Sequence, residues 1–556
     1  MQYDTLDSAT YAARLRLLIA ATESLHANAQ DVGDGKATIG WGYTFNRNNN
    51  EAIWRASGIN LSADEWRQIQ AIDAAGSDAR RTTLGLAFGR TLSETESDQL
   101  LVASAGVYEV HANAVGMPLS NEKLAITSVT YNRGVGAMNG HPVLDAIAND
   151  NRAEAWYQLR YNCWGSNSQF EAGLRKRRLV EAEVFGLYDD PANVTPEEAR
   201  EAFQMATLHR DHIQSVERRF GETLSGQAGT RDLLFEANRD YAGVTAEFGQ
   251  VESIRDSLAP ARAALLAQLR QDHPEIAHAL TEDRFGVESI YVDPGRDLVA
   301  GQHHSLADRP DNDRSATLDI PTRRAEPARD DLMLGLGGDD VIRSGMGDDV
   351  LLGGGGRDRL EGGAGHDLYI VEAGATIVDS DGQGAVFWGG QALSGAPGEG
   401  FEYELSGSTL SVRNAQGEAI TIENYSGGLG IDLALQRQPA AAPAVAPLSP
   451  VQQGQVEQLR NQLGAALQAA GYSAEDQRGI ETRWLEHLSR HQRLGDPERL
   501  MLSRDGTVVG ALHGAVMTEM NIPAALEAER AGQPVQPYLA PVPERDMESV
   551  SPVRAH

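Results

Sequence analysis

Five aspartates spaced by nine residues constrain this chain more than anything else in it: Asp331, Asp340, Asp349, Asp358 and Asp367. Two residues after each stands Met333, Ile342, Leu351, Leu360 or Tyr369, and two residues before the last four stand Gly338, Gly347, Gly356 and Gly365. This is the nonapeptide pattern G-G-x-G-x-D-x-U-x, whose glycines turn tightly while the hydrophobic residue of each short strand points inward. The aspartate carboxylates, and the carbonyls that the glycine turns expose, are hard oxygen ligands that suit Ca²⁺. Residues 330–371 hold nine acids against three arginines, a balance of −6 that repels itself unless cations screen it. Calcium is therefore expected to fold this segment.

These residues resemble the RTX, or hemolysin-type, calcium-binding repeats, which form a parallel β-roll. Two nonapeptides make one turn of such a roll, so the resemblance implies a short roll of about two turns, with the five aspartates and the four glycines named above as its metal site. In the first repeat Glu326-Pro327-Ala328-Arg329 precedes Asp330 where later repeats carry glycines, which sets that turn's calcium site apart.

A length of 556 residues is too great for one hydrophobic core, and at roughly 150 residues per domain three or four units are expected. Residues 1–190 mix helical periodicity with one short Gly- and Thr-containing stretch and read as a mostly α-helical globular domain. Residues 191–285 read as a helical connector, with Thr195 as an N-cap, and 286–329 as a linker containing His303 and His304. The repeat and a β-rich cap occupy 330–435, an Ala/Pro tether 436–450, a small α+β domain 451–532 and a disordered tail 533–556.

Acids outnumber Lys plus Arg by 79 to 48, so nucleic acid and anionic membrane surfaces are poor partners. The single cysteine, Cys163, allows no intramolecular disulfide and reads as a small packing residue. The N-terminus is acidic and its short apolar run is broken by Arg14 and Arg16, which is unlike a cleaved secretory signal. There is no apolar run long enough to span a membrane, so a soluble chain, exported without such a signal, is expected.

Near the N-terminus, Leu15, Leu18, Ile19, Thr22 and Leu25 fall on one face of a helix, with Glu23 near its end. Asp31-Val32-Gly33-Asp34-Gly35 is strong turn chemistry ahead of the strand-like Ala37-Thr38-Ile39-Gly40-Trp41-Gly42-Tyr43, so a hairpin can fold back beside that helix end. One carboxylic acid that protonates a leaving oxygen, and a second carboxylate that activates water, can split a glycosidic bond.

Glu23 with Thr38 fifteen residues later in T-I-G-W-G resembles the phage-type lysozymes of glycoside hydrolase family 24, whose motif is E, eight residues, D, five residues, T-I-G-x-G. Tyr131-Asn132-Arg133-Gly134 resembles the family's Y/F-N-x-G segment. Trp164, then Gly173-Leu174-Arg175-Lys176-Arg177-Arg178 and Glu181, resemble its W…G-L-x-x-R-R-x-x-E helix. The family's aspartate position is Val32 here, between Asp31 and Asp34. The resemblance implies a lysozyme-like α+β domain in which Glu23 is the general acid, Asp34 or Asp31 activates water, with Asp34 favoured, and Thr38 positions that water. The implied substrate is the β-1,4 link between N-acetylmuramic acid and N-acetylglucosamine in peptidoglycan. The Arg175–Arg178 cluster reads first as a solvated helix face paired with Glu171 and Glu181, and second as a contact for the wall's peptide carboxylates.

Leu494–Gly514, with its L-S-R-D-G, resembles the C-terminal export domain of antibacterial type IV secretion effectors of Xanthomonas-like bacteria, although Glu498-Arg499-Leu500-Met501 replaces that domain's I-D-H-V core. The resemblance implies a toxin acting in the periplasm of target bacteria, with a secretion coupling protein and an immunity protein as partners. Two other readings stand beside it: a calcium-dependent wall-binding adhesin with an inactive lysozyme-like domain, and a hydrolase of another amino-sugar polysaccharide.

Overall fold

Asp7 opens the first helix, Ser8–Thr22, by accepting hydrogen bonds from the Ala9 and Thr10 amides, and Tyr11, Leu15, Leu18 and Ile19 form its buried face. The computed structural model describes residues 1–295, 317–319, 328–434 and 448–530. At Glu23 the backbone is already extended, with φ −117° and ψ 156°. The chain then enters a three-stranded antiparallel sheet of His26–Gln30, Thr38–Gly40 and Tyr43–Thr44. Ile39, Tyr43, Phe45, Trp54 and Phe88 fill a small core on one side of it. Helices Asn121–Arg133 and Glu171–Phe185 pack on each other, and the former on Ser8–Thr22, in a larger core.

The segment 191–285 is helical as expected, but it is a packed layer rather than a strung-out connector. Thr195 and Glu198 form a capping box at the start of Pro196–Leu208, which packs against Ile254–Asp272. Phe203, Met205, Leu258, Leu265 and Leu266 from these helices share one apolar cluster with Leu18 and Val129 on one side and with Leu332, Leu334, Val350, Leu352 and Leu368 of the repeat on the other.

The repeat folds into a roll of two sheets. In one, Ile290–Val292, Leu332–Leu334, Val350–Leu352, Asp367–Val371 and Gly384–Trp388 lie parallel in that order. In the other, Thr317–Asp319, Val341–Met346, Arg359–Ala364, Thr376–Val378 and Ala419–Glu423 do the same. Leu332 pairs with Val350 and Val350 with Leu368, so a turn takes eighteen residues, or two nonapeptides. Met333, Ile342, Leu351, Leu360 and Tyr369 are all fully buried inside the roll, as the pattern requires. Antiparallel strands Phe401–Ser406, Thr409–Asn414 and Ala419–Glu423 build the β-rich cap.

Two features depart from the sequence reading. The roll runs past the repeat at both ends, and the stretch expected to be linker supplies two of its strands, Ile290–Val292 and Thr317–Asp319. The remainder of that stretch, including His303 and His304, lies outside the described residues, as do most of the Ala/Pro tether and the tail. The two sheets also have different outer faces. Leu332, Leu334, Val350 and Leu352 flank the inward residues of one and are buried under the helical layer, whereas Val341, Arg343, Arg359 and Glu361 flank those of the other and stay half-exposed.

The chain divides into two compact units, Met1–Arg437 and Gln438–His556. In the second, Ser449 and Ser473 cap helices Pro450–Ala469 and Ala474–Arg490. They share a core containing Leu463, Trp484 and Val509 with an antiparallel sheet of Arg499–Leu502, Val508–His513 and Val516–Asn521 and the helix Ile522–Arg530. This unit has both the helices and the strands of the small α+β domain expected there. Among the described residues no helix is long and apolar enough to cross a membrane.

Candidate functional site

Because Glu23 ends the first helix and the next strand pairs His26 with Gly40, the glutamate lies beside the glycine turn of the hairpin. Gly42 makes that approach possible. Its φ is +98°, and a Cβ there would stand 3.3 Å from Tyr131 Cε1 and 3.8 Å from Glu23 Oε2. The Tyr131 hydroxyl donates to the Trp41 carbonyl at 2.9 Å, and its ring lies 4.5 Å from that of Tyr108. Burial, with Tyr108 and Glu23 adding to it, holds the Tyr131 phenol well above its ordinary range, so it stays a neutral donor.

Behind Glu23 lies a buried charge network. Arg177 bonds to Glu23 Oε1, places Nε 3.0 Å from Glu181 Oε1, and donates to the Ser128 carbonyl at 3.2 Å. Glu181 is fully buried; it also accepts from Ser128 Oγ at 2.5 Å and lies 2.5 Å from Arg178 Nη1. Arg178 bonds to Asn132, which joins the Tyr131-Asn132-Arg133-Gly134 segment to the arginine helix. Burial opposes the charge on Arg177, but Glu181 and Glu23 outweigh it and raise the group above the usual arginine range. Glu23 itself is 24% exposed, open enough for a substrate to reach.

The arginine cluster is therefore no solvated face: Arg175, Arg177 and Arg178 are 6%, 3% and 0% exposed. The expected partners are correct, since Arg175 pairs with Glu171 at 2.9 Å, but that helix is packed between Asn121–Arg133 on the earlier side of the chain and Leu233–Asp240 on the later side. Arg177, which the sequence reading named in the helix motif and in the arginine cluster, was not among its candidate site residues. Its signal was the i,i+4 spacing of Arg177 and Glu181 on a helix carrying the family's motif.

The other candidates fall at the hairpin. Thr38 is 4% exposed and its hydroxyl has no hydrogen-bond partner, an orphaned buried group. Asp31 and Asp34 stand in the exposed loop: Asp31 Oδ1 accepts from the Gly33 and Gly35 amides at 2.8 and 3.0 Å, while Asp34 accepts from Lys36 N at 3.1 Å. Asp34 Oδ2 also lies 3.7 Å from Lys36 Nζ, so each aspartate has two contacts within the loop. Cys163 is buried 3.8 Å from His141, and burial pushes the thiol up to about 11 and the imidazole down to about 4, so the pair is not an activated nucleophile.

A family model described as phage lysozyme matches residues 20–181, the segment holding Glu23, Thr38, Tyr131, Arg177 and Glu181. The chain carries a phage-lysozyme domain. A model described as the RTX calcium-binding nonapeptide repeat matches residues 334–369 and 344–378. Among solved structures the chain is similar to the muramidase domain of SpmX from Asticaccaulis excentricus, at 20% identity over 33% of this chain and 98% of that chain, with a TM-score of 0.22. No curated protein matches the chain.

Beyond the lysozyme domain, the RTX repeats stack their aspartates in two buried rows. The Asp331 amide donates to Asp349 Oδ1 at 2.7 Å, Asp349 N to Asp367 Oδ1 at 2.9 Å, and Asp340 N to Asp358 Oδ1 at 3.0 Å. The second oxygens of Asp349, Asp358 and Asp367 are buried without a hydrogen-bond partner. Burial raises Asp331 and Asp367 to about 7 and Asp349 to about 6. Glycine supplies the space: a Cβ on Gly353 or Gly362 would lie 2.5 or 2.3 Å from the free oxygen of Asp358 or Asp367. Gly338, Gly347, Gly356 and Gly365 all have positive φ, and a Cβ on Gly356 would strike the Gly338 carbonyl one turn below. Among the described residues no three His, Cys, Asp or Glu side chains cluster to hold a metal, so backbone carbonyls would have to complete any coordination here. Orphaned carboxylate oxygens over glycine backbone fit Ca²⁺.

Proposed function

We propose that the lysozyme domain is a peptidoglycan muramidase that hydrolyses the β-1,4 link between N-acetylmuramic acid and N-acetylglucosamine. The observation that carries this reading is Glu23, held against the glycine turn of the hairpin by the buried Arg177–Glu181–Ser128 network within the segment matched as phage lysozyme. In this mechanism the Glu23 carboxyl gives its proton to the glycosidic oxygen as the C–O bond breaks. Asp34, the loop aspartate nearer to Thr38 in the sequence, takes a proton from the water that attacks the anomeric carbon from the opposite face. The orphaned Thr38 hydroxyl orients that water.

The RTX roll would hold Ca²⁺ between the stacked turns through Asp340, Asp349, Asp358 and Asp367 and the glycine carbonyls. The ion would supply the positive charge that lets buried carboxylates ionise together. The C-terminal unit would carry the chain to a secretion coupling protein. The enzyme would then act in the periplasm of target bacteria, with an immunity protein protecting the producer. Lysis on periplasmic but not cytoplasmic expression tests that placement.

Zymography on peptidoglycan and chitosan with wild type, Glu23→Gln, Asp31→Asn and Asp34→Asn tests the chemistry. Clearing of peptidoglycan by wild type and Asp31→Asn, but not by Glu23→Gln or Asp34→Asn, is expected; clearing by Glu23→Gln would overturn the assignment. One observation favours a second reading, a wall-binding adhesin with an inactive lysozyme domain: Val32 occupies the family's aspartate position. Wild type that binds peptidoglycan sacculi without cleaving them would establish it.

A further inference from the structure

The groups proposed to cut the glycan, Glu23 and a loop aspartate, are acids, and a wall glycan brings carboxylates of its own on its muramyl side chains. The arginines of helix Glu171–Phe185 do not answer that charge. Arg175 is paired with Glu171, Arg177 with Glu23 and Glu181, and Arg178 with Glu181. Arg47 reaches the same place by another route. Its Nη2 donates to the Tyr108 hydroxyl at 3.1 Å, the Tyr108 ring stands 4.5 Å from that of Tyr131, and Tyr131 and Glu23 both border Gly42. Glu23 and Arg47 accordingly act on the Tyr131 phenol together, with opposite signs. Thr44 holds the guanidinium from below: Nε donates to its carbonyl at 2.9 Å and Nη2 to its hydroxyl at 3.4 Å, while the Tyr43 ring centre lies 4.6 Å away. All of these partners are neutral. Among the described residues no carboxylate pairs with Arg47, and its Nη1 makes no hydrogen bond although it is not sealed from water.

We infer that Arg47 is a specificity residue of the lysozyme domain, whose guanidinium takes a carboxylate carried on the muramyl side chain of the glycan. That carboxylate belongs either to the lactyl arm itself or to the stem peptide attached to it. The inference rests on the reading of the Glu23 cleft as a peptidoglycan site. A guanidinium that has only neutral partners keeps its whole charge for a ligand, and Thr44 and Tyr108 hold its planar fork in place before the ligand arrives, so little side-chain entropy is lost on binding. Asn48 and Asn49 beside it are exposed, which leaves it reachable from solvent. The same cation discriminates: a neutral acetylated glycan leaves it with water alone, and a cationic polymer such as chitosan is repelled. The contact with the wall's carboxylates that the Arg175–Arg178 cluster is too buried to make thus falls to an arginine on the other edge of the hairpin.

The test is binding of soluble peptidoglycan strands to the full chain by titration calorimetry, in the Glu23→Gln background so that the ligand is not consumed. Two strand types are used, one bearing uncross-linked stem peptides and one stripped of peptide so that its lactyl carboxylates are free. Each is compared with a portion whose carboxylates have been converted to amides. With Arg47 in place, amidation is expected to weaken binding of at least one type by about tenfold or more, the worth of a hydrogen-bonded charge pair. Arg47→Gln should weaken the untreated strands to the same extent and leave the amidated ones unchanged, and Arg47→Lys should recover part of the loss. A loss on peptide-bearing strands assigns a stem-peptide carboxylate, and a loss on stripped strands the lactyl one. Equal weakening of amidated and untreated strands by Arg47→Gln overturns the inference, since the residue would then only support the fold. So does binding that is indifferent to amidation in both strand types, a result that needs no variant at position 47. If wild type clears peptidoglycan on zymograms while binding is indifferent to amidation, the inference fails and the muramidase reading stands; a chain that neither clears nor binds overturns both.

Discussion

Replacing Glu181 by glutamine tests whether the charge network behind Glu23 holds the lysozyme domain together. Glu181 is fully buried and is the one carboxylate that Arg177 and Arg178 both approach, at 3.0 and 2.5 Å. With glutamine there, two buried guanidiniums lose that countercharge, Ser128 Oγ faces an amide, and an N–H₂ group points at a cation. Breaking a buried ion pair from one side costs about 3–5 kcal/mol, against a total stability of roughly 5–15 kcal/mol for a domain. Native-state hydrogen exchange along helix Asn121–Arg133 reads this locally, and exchange faster by a factor of about 100 or more is expected. The reference is Asp240→Asn, which removes the 31%-exposed partner of Lys176 and should cost at most about 1 kcal/mol. Exchange in Glu181→Gln within threefold of that in Asp240→Asn would refute the reasoning, because the network would then be ornamental to stability.

Gly42→Ala should cost about 1–3 kcal/mol in urea unfolding and abolish clearing on zymograms, since φ is +98° and the new methyl meets Tyr131; Gly58→Ala, with φ +70° and open space, should keep its activity. Leu332→Ala should destabilise by about 2–5 kcal/mol by leaving a void under the helical layer, whereas Arg343→Ala on the other sheet should lie within about 1 kcal/mol of wild type in the same assay. Burial raises Glu183 from 4.5 to about 7, against the pull of Arg160 and with Glu252 adding to it. Its protonated form is the stabilising one, so its contribution is complete below pH 4.5 and is lost as pH rises through 7. Thermal unfolding at pH 5 and pH 8 should show Glu183→Gln flattening that decline, by up to about 3 kcal/mol at pH 8; an unchanged slope would remove Glu183 as its source.

The roll was legible because its period is chemically rare: a nine-residue spacing of Asp and Gly has few solutions, and the inward residues follow from strand alternation. Its extent was not. Ile290–Val292 and Thr317–Asp319 join the roll without a nonapeptide, so nothing periodic announces them. The covered sheet did leave a trace, since Leu332, Leu334, Val350 and Leu352 flank the inward residues in alternate repeats while Arg343, Arg359 and Glu361 appear in the others. At the candidate site Glu23, Thr38 and the glycine turn were readable from local chemistry. Arg177 was not, because a helix with i,i+4 ion pairs looks the same in sequence whether it faces water or a core.

What the sequence by itself determined is therefore local and backbone-bound. Glycines stand where φ is positive, aspartates recur at a fixed phase, and a glutamate sits where a helix gives way to a strand; each is decided within a few residues of chain. Only the tertiary structure decided which charges are inside. Arg177 meets Glu23 across 154 residues, and helices 196–208 and 254–272 turn one outer face of the roll into the wall of a core shared with the lysozyme domain. Burial sets the strength of an ion pair, the pKa of a carboxyl and the demand for a counter-ion. It is a property of what arrives from elsewhere in the chain, and no short window of sequence contains it.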